Sequence, residues 1–186
     1  MSQRRRWNER WETVKDDIAR LKEMIGEDVI APFVDEAEFL SNFFTVPGGL
    51  KFMGYVVPTA EHAYQMMKTL NQDDRAWIAL QPTAYLAKRA GNKNGLNGRK
   101  IELRQDWEEV KYEIMKQVVR AKFTQHAGLA KMLLMTGDKP LIELNWWGDD
   151  IWGWCSKTWR GTNLLGRILM EIREELRGLQ LKGEGR

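Results

Sequence analysis

At 186 residues the chain is long enough for one domain with a substantial core and too short for two full ones. Its net charge of +3 is the small difference between 29 Lys and Arg and 26 Asp and Glu, too weak to indicate nucleic-acid binding, and the lone Cys155 excludes an internal disulfide and Cys-rich zinc patterns. No stretch approaches the roughly 18–20 apolar residues of a spanning helix, and Met1–Arg10 is polar where a signal peptide turns apolar, so a soluble, cytoplasmic protein is expected.

Along the chain, residues 4–25 place Trp7, Trp11, Val14, Ile18, Leu21 and Ile25 at spacings of four and three, the pattern of an amphipathic helix that Gly26 ends. Its seam suits docking on the rest of the chain or pairing with a second copy, so an oligomer through this helix stays open. Arg4, Arg5 and Arg6 read as a solvated charge run. From Val29 to Val57, short apolar runs broken by Pro32, Pro47, Gly48, Gly49 and Gly54 suit short strands and turns. Pro58-Thr59 then starts a helix with Thr59 as N-cap; Ala63, Met66, Met67 and Leu70 form its core face, and Glu61, Gln65 and Lys68 a separate polar stripe.

A further helix follows Thr83, and Gly91–Gly98, with three Gly and three Asn, is a loop. Asp106 and Glu109 have capping-box spacing before a helix carrying Trp107, Val110, Ile114, Val118 and Ala121. A shorter helix near Leu129–Met135 stops at Gly137, Leu141–Leu144 suits a strand, and the last helix buries Leu165, Leu169, Ile172 and Leu176. With no internal repeat or linker, the expected architecture is α+β and predominantly helical: an N-terminal helical extension at 1–27, one domain at 28–178 with a few short strands, and a flexible tail at 179–186.

Glu61, in the first turn of its helix, is the strongest local candidate for chemistry, because N–H groups there stabilise an anion. A fixed carboxylate suits a reaction through a cationic ribosyl intermediate, although Glu at a helix start also serves the dipole alone. Trp146–Asn163 is aromatic, acidic and Gly-containing; Asp149 and Asp150 offer a second carboxylate or an ordinary turn. Gly161, Thr162 and Asn163 sit where the last helix begins, suited to a phosphate or to simple capping. Five of the nine Trp crowd into positions 146–159, as flat surfaces for a flat ligand or as core filler. His62 and His126 have no third ligand at metal spacing, and Cys155 has no neighbouring base.

Three separated segments, Leu40-Ser41-Asn42-Phe43, then Pro58–Gln65 with Lys68, then Trp152-Gly153 followed by Gly161–Arg173, resemble the ordered motifs of the NADAR superfamily, as do Trp107 in its setting and Arg120-Ala121-Lys122-Phe123. That superfamily includes bacterial N-glycosidases acting on early riboflavin-pathway intermediates. The resemblance, over about Phe39–Leu176, implies a NADAR-like domain that hydrolyses a ribosyl N-glycosidic bond without metal or other cofactor. It matches Glu61 to the catalytic glutamate, Trp107 to a functional tryptophan, and Asp149 to the acidic residue three before the Trp-Gly pair, with Asp150 reached by a one-residue shift. It also matches Asn42, Phe43, Trp152, Gly161 and Asn163 to positions near the substrate. Gln65 and Lys68 would hold ribose hydroxyls or a phosphate, Glu61 and Asp149 would flank the ribose, and Trp107 or Phe43 would stack on the base. The implied partner is a small ribosyl or ADP-ribosyl compound, with an ADP-ribosylated nucleic acid as a further substrate class and a non-catalytic binder of ADP-ribose as the alternative function. Trp154, Cys155 and Trp159 make the stretch after Trp-Gly more aromatic than the family pattern, which leaves substrate choice open.

Overall fold

Helix dominates, as expected. The computed structural model describes residues 3–184, with side chains over 13–180, and among these it contains seven α-helices, one 3-10 helix and two two-stranded sheets. Two compact units are formed, Met1–Ala37 with Asp138–Arg167, and Glu38–Gly137 with Ile168–Arg186. No described helix is long and apolar enough to cross a membrane.

In the first unit α1 (Gln3–Ile25) ends where Gly26, at φ +125°, donates its N–H to Lys22 O at 2.7 Å. Ile18 and Leu21 of its seam pack within this unit, while Ile25 at its end is exposed. Leu21 is fully buried in a cluster with Val29, Ile142 and Leu144, around which Ile18, Trp154 and Trp159 pack. The Arg20 guanidinium lies 4.3 Å from the Trp159 ring centroid. Trp7, Trp11 and Arg4–Arg6 lie outside the described side chains. The strand expected at Leu141–Leu144 is reduced to β3 (Leu144–Asn145), parallel to β4 (Trp154–Cys155), and a single bridge from Leu141 to Ile30. The physical reason is local: Leu144 N donates to Ile142 O at 2.8 Å, a tight turn that interrupts the extended backbone.

The second unit begins with a 3-10 helix (Asp35–Leu40, its first residues in the other unit) and an antiparallel hairpin, β1 (Thr45–Phe52) and β2 (Tyr55–Thr59). Met53 and Gly54, at φ +48° and +83°, make the two-residue turn whose twist matches a hairpin. In this register Leu50 faces Val57, both buried. Gln125 pairs with the β1 backbone, donating to Lys51 O at 2.8 Å and accepting from Lys51 N at 3.0 Å.

Thr59 ends β2 and caps α2 (Ala60–Met66), its hydroxyl accepting from His62 N. The helix stops a turn earlier than its apolar pattern suggests, because the N–H groups of Met67 and Lys68 turn back to Tyr64 O and Gln65 O. Leu70, expected in the core, is therefore 62% exposed. A helix the pattern did not reveal follows, α3 (Gln72–Ala79), capped by Asn71, whose side chain accepts from Asp73 N and Asp74 N. Next come α4 (Ala84–Ala90), capped by Thr83 as expected, and α5 (Trp107–Gln125). The Asp106–Glu109 capping box does not form, since Arg104 takes both oxygens of the Asp106 carboxylate at 2.6 and 2.8 Å.

After α6 (Ala127–Met135), Gly137 at φ +60° turns the chain. Helix α7 (Leu164–Glu184) starts in the first unit and continues in the second, where Ile168, Leu169 and Ile172 are fully buried. Each such side chain contributes roughly 1.5–3 kcal/mol by leaving water. Its other face meets α5 through Lys116 with Glu171 at 2.6 Å and Arg120 with Glu175 at 2.8 Å. Residues 179–184, expected in a flexible tail, are helical.

Candidate active site

Two neighbours fix the backbone of Glu61. Thr59 sets the start of α2, and Asn42 O accepts Glu61 N at 2.9 Å, tying the loop after the 3-10 helix to the helix start. His62 turns to structural work. Its Nε2 lies 2.9 Å from Gln81 O and its Nδ1 2.8 Å from Thr59 Oγ1. Burial pushes its pKa down, against the opposing bond to Gln81, which suits a neutral ring donating from Nε2 and accepting at Nδ1.

The polar stripe of α2, separate from its apolar face, turns inward at its first two members. Glu61 is 5% exposed and Gln65 3%, and Gln65 Nε2 donates to Glu61 Oε1 at 2.8 Å. Lys68 follows, its Nζ 3.4 Å from Gly91 O, 5.8 Å from the Tyr64 ring centroid and 5.7 Å from that of Trp107. Burial lowers the Lys68 pKa; the Glu61 carboxylate opposes that shift, and Lys88 adds to it. With α2 only seven residues long, side-chain partners rather than a long helix dipole set the surroundings of this carboxylate.

Aromatic walls stand beside the stripe. Trp107, 6% exposed at the start of α5, packs against Tyr64 with ring centroids 5.2 Å apart at 52°. Arg104 N donates to Lys68 O at 2.8 Å, which ties the approach to α5 to the end of the stripe. Phe43 lies under Lys88, whose Nζ is 5.6 Å from its ring centroid. Asn42 is buried, its Nδ2 donating to Met115 Sδ at 3.2 Å while no described residue donates to its Oδ1. The structure thus brings Asn42, Phe43, Glu61, Gln65, Lys68 and Trp107 into one unit. Sequence reasoning assigned no role to two cations here. Lys88 couples to Lys68, and the fully buried Lys122 donates to Ser41 O at 2.8 Å, under the loop that carries Asn42 and Phe43. For the second, the signals were its place in the Arg120–Phe123 motif and on the apolar stripe of α5.

The remaining expected residues lie in the other unit. Asp149 Oδ1 accepts Trp152 N at 2.9 Å, and Asn145 brackets the Asp149 backbone, accepting from its N at 3.1 Å and donating to its O at 2.7 Å. Asp150 is exposed, and its carbonyl accepts Thr162 N at 2.8 Å. Of the segment Gly161–Asn163 that suits a phosphate by sequence, the N–H of Asn163 is engaged by Gly153 O, and the next two, of Leu164 and Leu165, by the carbonyls of Ile151 and Trp152. The Asn163 amide is engaged as well: Oδ1 accepts Glu143 N at 3.0 Å and Nδ2 donates to Leu141 O at 2.9 Å. Gly161 allows close packing, since a Cβ there would lie 2.2 Å from Gly153 O. Burial pushes the Cys155 thiol up, but hydrogen bonds from Lys157, Thr158 and Gly148 outweigh it and hold the pKa below its ordinary value.

Known proteins resemble this chain in sequence and in fold. The family model described as NADAR domain matches residues 32–177. The chain is 39% identical over 139 residues to N-glycosidase Npun_R5314 of Nostoc punctiforme, covering 75% of this chain and 85% of that protein. It is 37% identical over 159 residues to N-glycosidase YbiA of Escherichia coli, with 82% and 91% covered. Riboflavin biosynthesis protein VVA0006 of Vibrio vulnificus is 38% identical over 143 residues, 74% of this chain but 35% of that protein. The NMR structure of the E. coli protein YbiA matches with a TM-score of 0.69 and 35% identity, over 83% of this chain and 88% of that one. A family match across most of the sequence, relatives aligned over most of their own length and a shared fold together mean that this chain belongs to the NADAR domain family.

Proposed function

We propose that the chain is an N-glycosidase that hydrolyses the bond between a ribose and a nitrogenous base, with Glu61 as the carboxylate at the reacting centre. The observation that carries this reading is a buried carboxylate held by Gln65, with a half-buried lysine and aromatic rings beside it. Breaking the C–N bond leaves positive charge on the anomeric carbon. A carboxylate in a low-dielectric setting lowers the energy of that charge and orients the water whose oxygen replaces the base, while a proton passes to the departing nitrogen. Trp107 and Phe43 offer faces for a flat base.

Lys68 and Lys88 favour a substrate with a negative charge near the ribose, which suits phosphate-bearing compounds. Two classes fit, amino-pyrimidine ribosyl phosphates and ADP-ribosyl adducts. The relatives' names support N-glycosyl hydrolysis, and the name riboflavin biosynthesis protein is a reason to assay the first class first. Purified protein is to be incubated with both classes and the released base measured by mass spectrometry. Turnover by the wild type, and a loss of roughly a hundredfold or more in Glu61→Gln, are expected. Full activity in Glu61→Gln refutes the role of Glu61; binding without turnover across the panel favours a protein that sequesters ADP-ribose-like compounds.

A further inference from the structure

Gln65, which holds Glu61, is itself held on its far side by a residue without a side chain. Gly91 is the C-terminal cap of α4 with φ −80°, a backbone conformation open to any residue. Space is what demands glycine. A Cβ on Gly91 would lie 2.1 Å from Gln65 Oε1, 3.0 Å from its Cδ and 3.1 Å from its Cβ. The Gly91 carbonyl also accepts from Lys68 Nζ at 3.4 Å. An ionised carboxylate only accepts hydrogen bonds, so the Gln65 amide must present Nε2 to Glu61. Its Oε1 then faces Gly91, buried and without a donor among the described residues.

We propose that Gly91 is a positioning residue for the glycosidase site: its missing side chain is what lets the Gln65 amide stand against Glu61 and aim the carboxylate. The inference rests on Glu61 being the catalytic group. A methyl group on Gly91 would meet first the far end of a flexible side chain, while the Gly91 backbone is fixed by its own bond to Ala87 O at 3.0 Å. Rotation of Gln65 is therefore the cheaper response, and rotation withdraws Nε2 from Glu61. The contact from Lys68 goes to the backbone carbonyl of Gly91, so it survives the substitution. The effect should then fall on turnover and leave substrate binding nearly intact.

The test uses Gly91→Ala, Gln65→Ala and the double variant of the full chain, with a ribosylated base that the wild type hydrolyses. In Gly91→Ala, kcat should fall about tenfold or more, the scale of a lost hydrogen bond to a charged group, with KM within about threefold. In the double variant the long side chain is gone, so kcat should equal that of Gln65→Ala alone. An unchanged kcat in Gly91→Ala, or the same further loss when Gly91→Ala is added to Gln65→Ala, overturns the inference. Should Gly91→Ala fail to fold, the double variant decides: folding with the kcat of Gln65→Ala supports the inference, and failure to fold or a lower kcat overturns it. Glu61→Gln separates the two levels. Full activity there removes the role of Glu61 itself, whereas an inactive Glu61→Gln beside an unaffected Gly91→Ala removes only the role of Gly91.

Discussion

Replacing Asn163 separates a structural clamp from a substrate contact. Its buried amide bonds Glu143 N at 3.0 Å and Leu141 O at 2.9 Å, and its backbone sits at φ +49°, where asparagine is tolerated better than most residues. Asn163→Ala removes both bonds, and leaving a buried donor or acceptor unsatisfied costs about 1–3 kcal/mol each. The left-handed conformation adds roughly 1 kcal/mol for a residue with Cβ. Partial relaxation and water entry place the sum near 3 kcal/mol, which for a chain of this length lowers Tm by about 6–12 °C. Gly166→Ala should act on the same clamp, because a Cβ there would lie 2.0 Å from Leu141 O and 2.4 Å from Asn163 Nδ2. Losses in the double variant should then be clearly less than additive. The assay is thermal unfolding followed by circular dichroism, with KM measured in parallel. A Tm within 2 °C of wild type (below about 1 kcal/mol) together with a raised KM would refute the clamp and return Asn163 to the substrate.

Two further outcomes follow from the charged groups. Burial disfavours the Lys68 ammonium in the folded state, so this group's contribution to stability rises as pH climbs from its lowered pKa toward the ordinary lysine value. If the ammonium binds substrate, KM should rise with pH below the usual lysine range, and Lys68→Arg should move that limb upward because Arg stays charged; an unmoved limb would exclude Lys68 as its source. The hydrogen bond from Arg120 is the main cause of the lowered Glu175 pKa, so its contribution is present at neutral pH and lost as pH falls through the folded-state value. Both side chains are more than a third exposed, so Arg120→Met should cost no more than about 1 kcal/mol at pH 7 in urea unfolding. A larger loss would mean that the α5–α7 contact depends on more than this ion pair.

The periodic elements were legible in the sequence. The Thr59 and Thr83 caps, the long stripe of α5 and the apolar face of α7 follow from backbone and side-chain preferences acting over a few residues, and the ordered motifs around Asn42, Glu61 and Gly161 carried the family resemblance. Errors arose where a non-local or competing contact prevailed. Arg104 took the carboxylate that would have capped α5, and a tight turn at Ile142–Leu144 broke the expected strand. Asn71 at the head of α3 was a readable cap, but the helix behind it lacks a strong apolar stripe.

What the sequence determined by itself was the chemistry on offer: a predominantly helical chain with a carboxylate at the start of one helix, polar groups one and two turns further, and a tryptophan at the start of another. Only tertiary structure decided that Glu61 and Gln65 of the stripe are buried while Lys68 is half-buried, that Gly91 confines Gln65, and that the amide of Asn163 is engaged by backbone. Spacing along a helix gives the relative direction of side chains but not what faces them, because burial, and with it the strength of a charge or hydrogen bond, depends on segments distant in the chain.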